Sequence, residues 1–98
     1  MTNILIARVY ITESEHHLDA VLKVLHDDIK MAHVTVFRGI EGFEKGGKIQ
    51  ASKFLSLSLS LPLVVEFFDV PDRVKEAIEI LKETIEKGHI VTLNGDLK

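Results

Sequence analysis

Two segments of this chain are apolar at nearly every position, and they constrain the fold more than any other feature. They run from Asn3 to Ile11 and from Leu61 to Asp69. A strand that is apolar on both faces is typical of the centre of a sheet. Two shorter β-type segments, His33–Phe37 and His89–Leu93, are more mixed in character. The sequence therefore predicts four strands, with the first and third at the centre.

A helical pattern follows each of the two apolar strands. Thr12 and Glu15 have the spacing of a capping box, with Ser14 as an alternative N-cap, and we predict a helix from about residue 14 to residue 30. Pro71 favours the first turn of a second helix, and Gly88 is predicted to be its C-cap. The apolar residues at helical spacing are Leu18, Val21, Leu22, Leu25, Ile29, Val74, Ala77, Ile78, Leu81 and Ile85.

The order of these elements is β-α-β-β-α-β. It predicts an α+β fold of the ferredoxin-like type, with one domain over residues 1–98. The antiparallel sheet of this fold has the order 4-1-3-2, which agrees with the two apolar strands lying at the centre. Both helices cover one face of the sheet and leave the other face open.

The predicted open face is apolar rather than polar. Strand alternation assigns to it Ile4, Ile6, Arg8, Tyr10, Val64, Glu66 and Phe68, of which five of seven are large and apolar or aromatic. The segment Phe54–Phe68 is also apolar and carries one charge. Exposed patches of this kind mark interfaces, so we infer a symmetric homo-oligomer. We expect Arg8 and Glu66 to be neighbours, because an unpaired charge in such a surface is costly.

A glycine-rich segment with three cations follows the second strand. Residues His33–Lys48 hold four of the chain's six glycines, and Arg38, Lys45 and Lys48 are spaced along it. Glycine lets a ligand approach the backbone, and cations on such a loop can grip an anion. The alternative is a hairpin that needs glycine to turn. Arg38 could clamp a phosphate or carboxylate bidentately. It could instead pair with Glu41 or Glu44, or with a neighbouring subunit.

Composition argues against several classes of protein. The net charge of −3 argues against a nucleic-acid binder, and the absence of cysteine removes thiol nucleophiles and thiolate metal sites. We identify no catalytic motif and predict no enzyme. The five histidines do not supply the three or four converging ligands of a zinc site, so no metal site is predicted. We find no signal peptide and no membrane-spanning run, and expect a cytoplasmic protein.

The segment Val34–Phe43, Val-Thr-Val-Phe-Arg-Gly-Ile-Glu-Gly-Phe, resembles a small uncharacterised family of PII-like proteins, domain of unknown function number 190. Ile49–Leu55, Leu61–Asp69 and Gly88–Leu93 are similar to the same family, so the resemblance covers nearly the whole chain. It implies a homotrimer whose three sheets face the three-fold axis. It also implies a ligand cleft between subunits, at the base of the loop after strand two.

The resemblance implies a regulatory or sensor protein whose loop responds to a small anionic effector such as a nucleotide. The ligand-binding residues would be Arg38, Gly39, Gly42, Phe43, Lys45, Lys48, Lys87 and Gly88. We expect the segment Arg38–Lys48 to be mobile without ligand and to order on binding. An unidentified protein or a membrane transporter would be the regulated target.

The chain departs from PII proteins in two respects. The second glycine-rich loop is too short, with only Lys87, Gly88 and His89 as substitutes, and the uridylylated tyrosine is missing because Tyr10 is the single tyrosine. ATP binding therefore does not carry over, and no cofactor is named. The alternative is a structural or divalent-metal-tolerance trimer without a nucleotide site. A third interpretation is a small enzyme that uses Arg38 and a histidine across the interface.

Overall fold

The computed structural model describes residues 2–12, 17–51 and 61–98. The strands are β1 (Thr2–Thr12), β2 (His33–Arg38), β3 (Glu41–Gly42), β4 (Gln50–Ala51), β5 (Pro62–Asp69) and β6 (Ile90–Leu97). The helices are α1 (Leu18–Lys23), which continues directly into a π-helical segment (Val24–Asp28), and α2 (Pro71–Leu81). Neither helix, within these ranges, has the length and apolar character that crossing a membrane would need.

Four long strands form one antiparallel sheet in the order β2-β5-β1-β6. The two apolar strands, β1 and β5, therefore lie at its centre. The predicted order 4-1-3-2 counted four strands along the chain. Strands 3 and 4 of that prediction correspond to β5 and β6 of the structure. The prediction did not include β3 and β4, which pair with each other in a separate two-stranded sheet. The fold is α+β and ferredoxin-like, with this additional hairpin.

The core lies between one face of the sheet and the two helices. It is built from Ala7, Val9, Ile11, Val21, Leu25, Ile29, Leu63, Val65, Phe67, Val74, Ala77, Leu81 and Ile85. These include the predicted apolar stripes of both helices, with Leu18, Leu22 and Ile78 partly buried beside them. Apolar residues repeat about every 3.6 positions in the helices and every two positions in the strands. Each element therefore turns one apolar side towards the core.

The first helix ends close to its predicted boundary, in a geometry the sequence did not predict. In the π-helical segment the N–H of Ile29 donates to the carbonyl of Val24 at 2.9 Å, one residue further than in an α-helix. Lys30 has a φ of 57°, and the N–H of Met31 donates to Leu25 at 2.8 Å. The left-handed residue ends the helix. The predicted capping box falls mostly on residues 13–16, outside the described residues.

The prediction that Gly88 caps α2 is wrong. The helix ends at Leu81 with Lys82 as its C-cap, and the chain then turns through residues 82–88. Gly88 has a φ of 89° in this turn, next to the start of β6. Strand β6 is also longer than predicted, because pairing with β1 extends to Thr2 opposite Leu97.

Asp69 joins the beginning of α2 to the end of the first helix. Its carboxylate accepts hydrogen bonds from the backbone N–H of Val70 at 2.7 Å and from Arg73 Nε at 3.3 Å. Arg73 also donates to the carbonyl of Ile29. Burial acts to raise the pKa of Asp69, but the N–H groups of Val70 and Ala32, with Arg73, hold it below its ordinary value.

Candidate functional site

The face of the sheet that the helices leave uncovered is called the open face. Strand register places on it Ile4, Ile6, Arg8, Tyr10, His33, Thr35, Phe37, Val64, Glu66, Phe68, Val91, Leu93, Gly95 and Leu97. Tyr10, Phe37, Val91, Leu93 and Leu97 are exposed large side chains on it. The predicted assignment of faces is confirmed, since Ala7, Val9 and Ile11 lie in the core on the other side. Ile4 differs from its neighbours because it is buried within the subunit.

A charge pair lies in the middle of the open face. Arg8 and Glu66 are directly opposite each other in β1 and β5, and Arg8 Nε lies 2.9 Å from Glu66 Oε1. Their side chains are 43% and 25% exposed. The hydrogen bond to Glu66 raises the pKa of Arg8, against the effect of desolvation. The prediction that these two residues are neighbours is confirmed.

The glycine-rich segment forms a hairpin in which β3 pairs with β4, and we call it the β3–β4 hairpin (residues 41–51). Its turn is closed by the N–H of Gly47, which donates to the carbonyl of Glu44 at 2.8 Å. Gly46 has a φ of 79° in this turn, a conformation that glycine adopts without strain. The geometry favours the interpretation in which the glycines serve to turn the chain. Mobility of this segment without ligand stays a prediction.

The base of the hairpin is fixed on Pro62. The N–H of Gly39 donates to the carbonyl of Pro62 at 2.7 Å. A Cβ at Gly39 would lie 2.6 Å from Cγ of Pro62, and one at Gly42 would lie 3.2 Å from the same atom. Gly39 is therefore needed for close packing between the hairpin and the start of β5, and Gly42 leaves a side chain only a tight fit at the same place.

Gly39→Ala should destabilise the protein by about 1–3 kcal/mol, because the added methyl group overlaps the ring and the carbonyl of Pro62. Urea denaturation monitored by circular dichroism measures this. The matched control is Ile40→Ala in the same segment, where the native side chain is 77% exposed and truncation should change little. A Gly39→Ala protein as stable as the native one would contradict the close packing.

A cavity of about 480 Å³, here called the hairpin cavity, lies between the hairpin, the end of β1 and the start of β5. Tyr10, Phe43 and Pro62 supply apolar walls. Its charged lining residues are Glu41, Glu44 and Lys48. Two carboxylates and one ammonium leave a formal charge of −1, so this lining alone does not favour an anion.

The structure does not bring all the predicted ligand-binding residues together. Two groups of them line two different cavities, and a third group lines neither. Gly39, Gly42, Phe43 and Lys48 line the hairpin cavity. Lys87 and Gly88 line a second cavity of about 460 Å³ between the end of α2 and β6.

Arg38 and Lys45 line neither cavity. Arg38 lies opposite the buried Leu63, on the helix-bearing side of β2, and Lys45 lies in the hairpin turn. The structure therefore gathers half of the predicted group around one cavity.

His89 connects the hairpin to the body of the protein. Its Nε2 lies 2.8 Å from Oε1 of Glu44, and its carbonyl accepts a hydrogen bond from the N–H of Tyr10 at 2.8 Å. A carboxylate only accepts, so Nε2 carries a hydrogen. The Glu44 hydrogen bond raises the pKa of His89, although burial opposes this, and the Lys87 carbonyl and Glu86 act in the same direction as Glu44. Nδ1 is buried and makes no hydrogen bond of ordinary geometry among the described residues, so the effect of the Lys87 carbonyl on the pKa of His89 is smaller than that of Glu44.

Sequence reasoning missed the parts of this site that come from distant segments. It considered Glu44 only as a partner for Arg38, and His89 only as part of a shortened loop. It assigned no role at the cavity to Tyr10 or Pro62. No local pattern links Glu44 to His89, which are 45 positions apart.

The described residues contain no group of three or more His, Cys, Asp or Glu side chains that could together hold a metal ion. His33 stacks on Phe68 with ring centroids 4.6 Å apart. His26 bonds the neighbouring Asp27 at 2.6 Å. His16, one of the histidines weighed as a ligand, lies outside the described residues.

Comparison with known sequences identifies one family. The profile described as DUF190, uncharacterized ACR, matches residues 4–95. A UPF0166 protein of Aquifex aeolicus (strain VF5) is 42% identical over 48 residues, which are 49% of this chain and 46% of that protein. The aligned region therefore spans about half the length of this curated relative.

The solved structures that resemble this chain include PII-like proteins and CutA proteins. CPII bound to ADP and bicarbonate, from Thiomonas intermedia K12, has a TM-score of 0.69 at 12% identity, over 97% of this chain and 86% of that chain. A PII-like signaling protein from Thermus thermophilus has a TM-score of 0.66 at 8% identity, over 98% and 88%. The divalent ion tolerance protein CutA1 of Ehrlichia chaffeensis has a TM-score of 0.62 at 13% identity, over 100% and 84%. These likenesses show a shared fold.

Proposed function

The chain belongs to the DUF190 family, and from this premise we propose that it is a PII-like homotrimeric regulatory protein that binds a small anionic effector beside the subunit interface. The proposal depends on one observation, which is that the hairpin cavity and the open face have two lining residues in common. Tyr10 and Val64 line the hairpin cavity, and they also line a small depression of about 220 Å³ on the open face. A ligand in the hairpin cavity would therefore lie next to whatever covers the open face.

The trimer is supported by the chemistry of the open face. Burying a large apolar side chain contributes about 1.5–3 kcal/mol, and five such side chains of the described residues are exposed there, namely Tyr10, Phe37, Val91, Leu93 and Leu97. Three subunits that turn this face towards a common axis bury all of them and leave the hairpins at the boundaries between neighbours. Closed symmetry also prevents further association through the same surface.

An effector with an apolar or aromatic part and an anionic group fits the lining of the hairpin cavity. Phe43 and Tyr10 offer aromatic surface, and Lys48 offers a cation at the same cavity. A nucleotide has both parts, and one fold neighbour was solved with ADP and bicarbonate. Arg38, Lys45, Lys87 and Gly88 complete the proposed site if the neighbouring subunit brings them closer.

In this proposal the protein is a cytoplasmic regulator without catalytic turnover. The hairpin transmits binding, because its base is fixed on Pro62 while its exposed residues, Phe43 at 68% and Ile49 at 65%, are free to contact a protein or membrane-transporter target. Ordering of the hairpin by the effector changes the surface that such a target meets.

Light scattering and calorimetry test the proposal. Light scattering at micromolar concentration should give about three times the 11.0 kDa chain mass. Titration with ADP, with and without bicarbonate, should release heat and leave ADP unchanged. Lys48→Ala should weaken binding about tenfold or more, whereas Lys75→Ala, an exposed lysine of α2 that lies outside the proposed site, should not. A monomer, or a trimer indifferent to nucleotides and other small anions, would contradict it.

The second candidate is a divalent-metal-tolerance or structural trimer, favoured by the likeness to CutA1. It shares the fold and the trimer and differs in the ligand. Thermal unfolding with Cu²⁺ or Zn²⁺ distinguishes the two functions, because a ligand at a hundred times its dissociation constant stabilises the folded protein by about 2.7 kcal/mol. Stabilisation by the metal and none by nucleotide would favour this candidate.

A further inference from the structure

The hairpin cavity presents an electrostatic difficulty for the effector proposed above. Among the residues that the structure describes, its lining contains the carboxylates of Glu41 and Glu44 and the ammonium of Lys48. An anion entering this cavity would meet a net negative charge. A cation close to one of the carboxylates would remove the difficulty, and the structure places a titratable group in that position.

We propose that His89 sets the charge of the hairpin cavity through Glu44, and that its protonation determines whether the cavity accepts an anion. His89 is a positioning residue in this role, because it contacts Glu44 and not the cavity itself. This inference rests on the proposed function, since it concerns the same cavity.

The geometry supports a direct effect of His89 on the cavity. Its Nε2 is 2.8 Å from Oε1 of Glu44, so the two groups are in direct contact. The His89 side chain is 26% exposed and that of Glu44 is 65% exposed, so solvent weakens the interaction from the Glu44 side. Protonated His89 brings the formal charge of the lining from −1 to zero. Neutral His89 leaves Glu44 as an uncompensated carboxylate at the cavity.

His89 is held in place by two elements. Its carbonyl accepts the N–H of Tyr10, which itself lines the cavity. The N–H of His89 donates to the carbonyl of Glu86 at 3.2 Å. These bonds hold the backbone of His89, and the hydrogen bond from Nε2 to Glu44 directs its ring towards the hairpin.

The groups that face His89 favour its charged form. Glu44 of the hairpin makes the direct hydrogen bond, and Glu86 and the Lys87 carbonyl of the preceding turn act in the same direction, while burial opposes them. The pKa of His89 is consequently raised from 6.5. Because the pKa is raised, the charged form predominates at pH 6.5 and below, and it is lost as the pH rises through the raised value.

The test combines a proton titration with a binding titration. The pKa of His89 is measured by nuclear magnetic resonance in the native protein and in Glu44→Gln, without ligand. Affinity for the nucleoside diphosphate used above is measured between pH 5.5 and pH 9 in both proteins and in His89→Gln. Glutamine at position 89 keeps a donor for Glu44 and cannot become charged.

We expect His89 to titrate above 6.5 in the native protein and lower in Glu44→Gln. Native affinity should fall about tenfold as the pH rises through this pKa, as expected for one charge at a partly screened distance. His89→Gln should bind weakly with a much smaller pH dependence. Glu44→Gln should bind about tenfold more tightly than the native protein at pH 9.

The outcomes separate this inference from the proposed function. Binding with the same pH dependence in the native protein and in His89→Gln overturns the role of His89 and leaves the proposed function standing. So does a native His89 that titrates at its ordinary value. An absence of nucleotide binding at every pH overturns the proposed function and this inference with it.

Discussion

Leu93→Glu should convert the proposed trimer into a monomer at micromolar concentration. Leu93 lies on the open face opposite Ile6 and is 41% exposed in the single subunit. In the assembly its side chain would be covered, and a glutamate there would be a buried charge without a partner. Light scattering and sedimentation velocity measure the change. Far-ultraviolet circular dichroism should remain native, because the substitution lies outside the core.

Val70→Glu is the matched control for this prediction. Val70 is 42% exposed, almost the same as Leu93, but it precedes α2 and does not lie on the open face. The control should remain trimeric. If both variants are trimers, the open face is not the interface. If both are monomers, added negative charge and not its position is responsible.

Arg8→Met should raise the dissociation constant of the trimer by about a hundredfold. The substitution leaves Glu66 without its 2.9 Å partner in a surface that assembly removes from water. The double variant Arg8→Met/Glu66→Leu should associate far more tightly than Arg8→Met, because no charge is then buried. Sedimentation equilibrium of both variants measures the difference.

The dissociation constants of Arg8→Met and of the double variant are the decisive comparison. A double variant that dissociates as readily as Arg8→Met would show that the pair acts by more than mutual compensation. Equal association of Arg8→Met and the native protein would show that Glu66 remains hydrated, which is incompatible with an interface at this position.

Local patterns predicted much of the fold and less of the candidate site. Alternation in β1 and β5 assigned both faces of the sheet and paired Arg8 with Glu66. It did so because side chains alternate in every strand, whatever the strand contacts. The end of β6 was missed, since Asn94 and Gly95 favour a turn locally and pairing with β1 overrides that preference.

The glycines also show which properties the local sequence predicted and which it did not. Their number identified the segment after β2 as the one with special backbone requirements. Sequence could not tell a glycine that turns the chain, as Gly46 does, from one that makes room for Pro62, as Gly39 does. The second requirement depends on an atom 23 positions away in the sequence.

The sequence by itself determined the order of strands and helices, the two faces of the sheet and the apolar character of the open face. These properties repeat every two or 3.6 residues and are visible in a short window. Only the tertiary structure decided the site: the hairpin cavity, the packing of Gly39 on Pro62 and the bond between His89 and Glu44. Each brings together segments far apart in the chain, and the approach of such segments is set by packing of the whole domain and not by any local period.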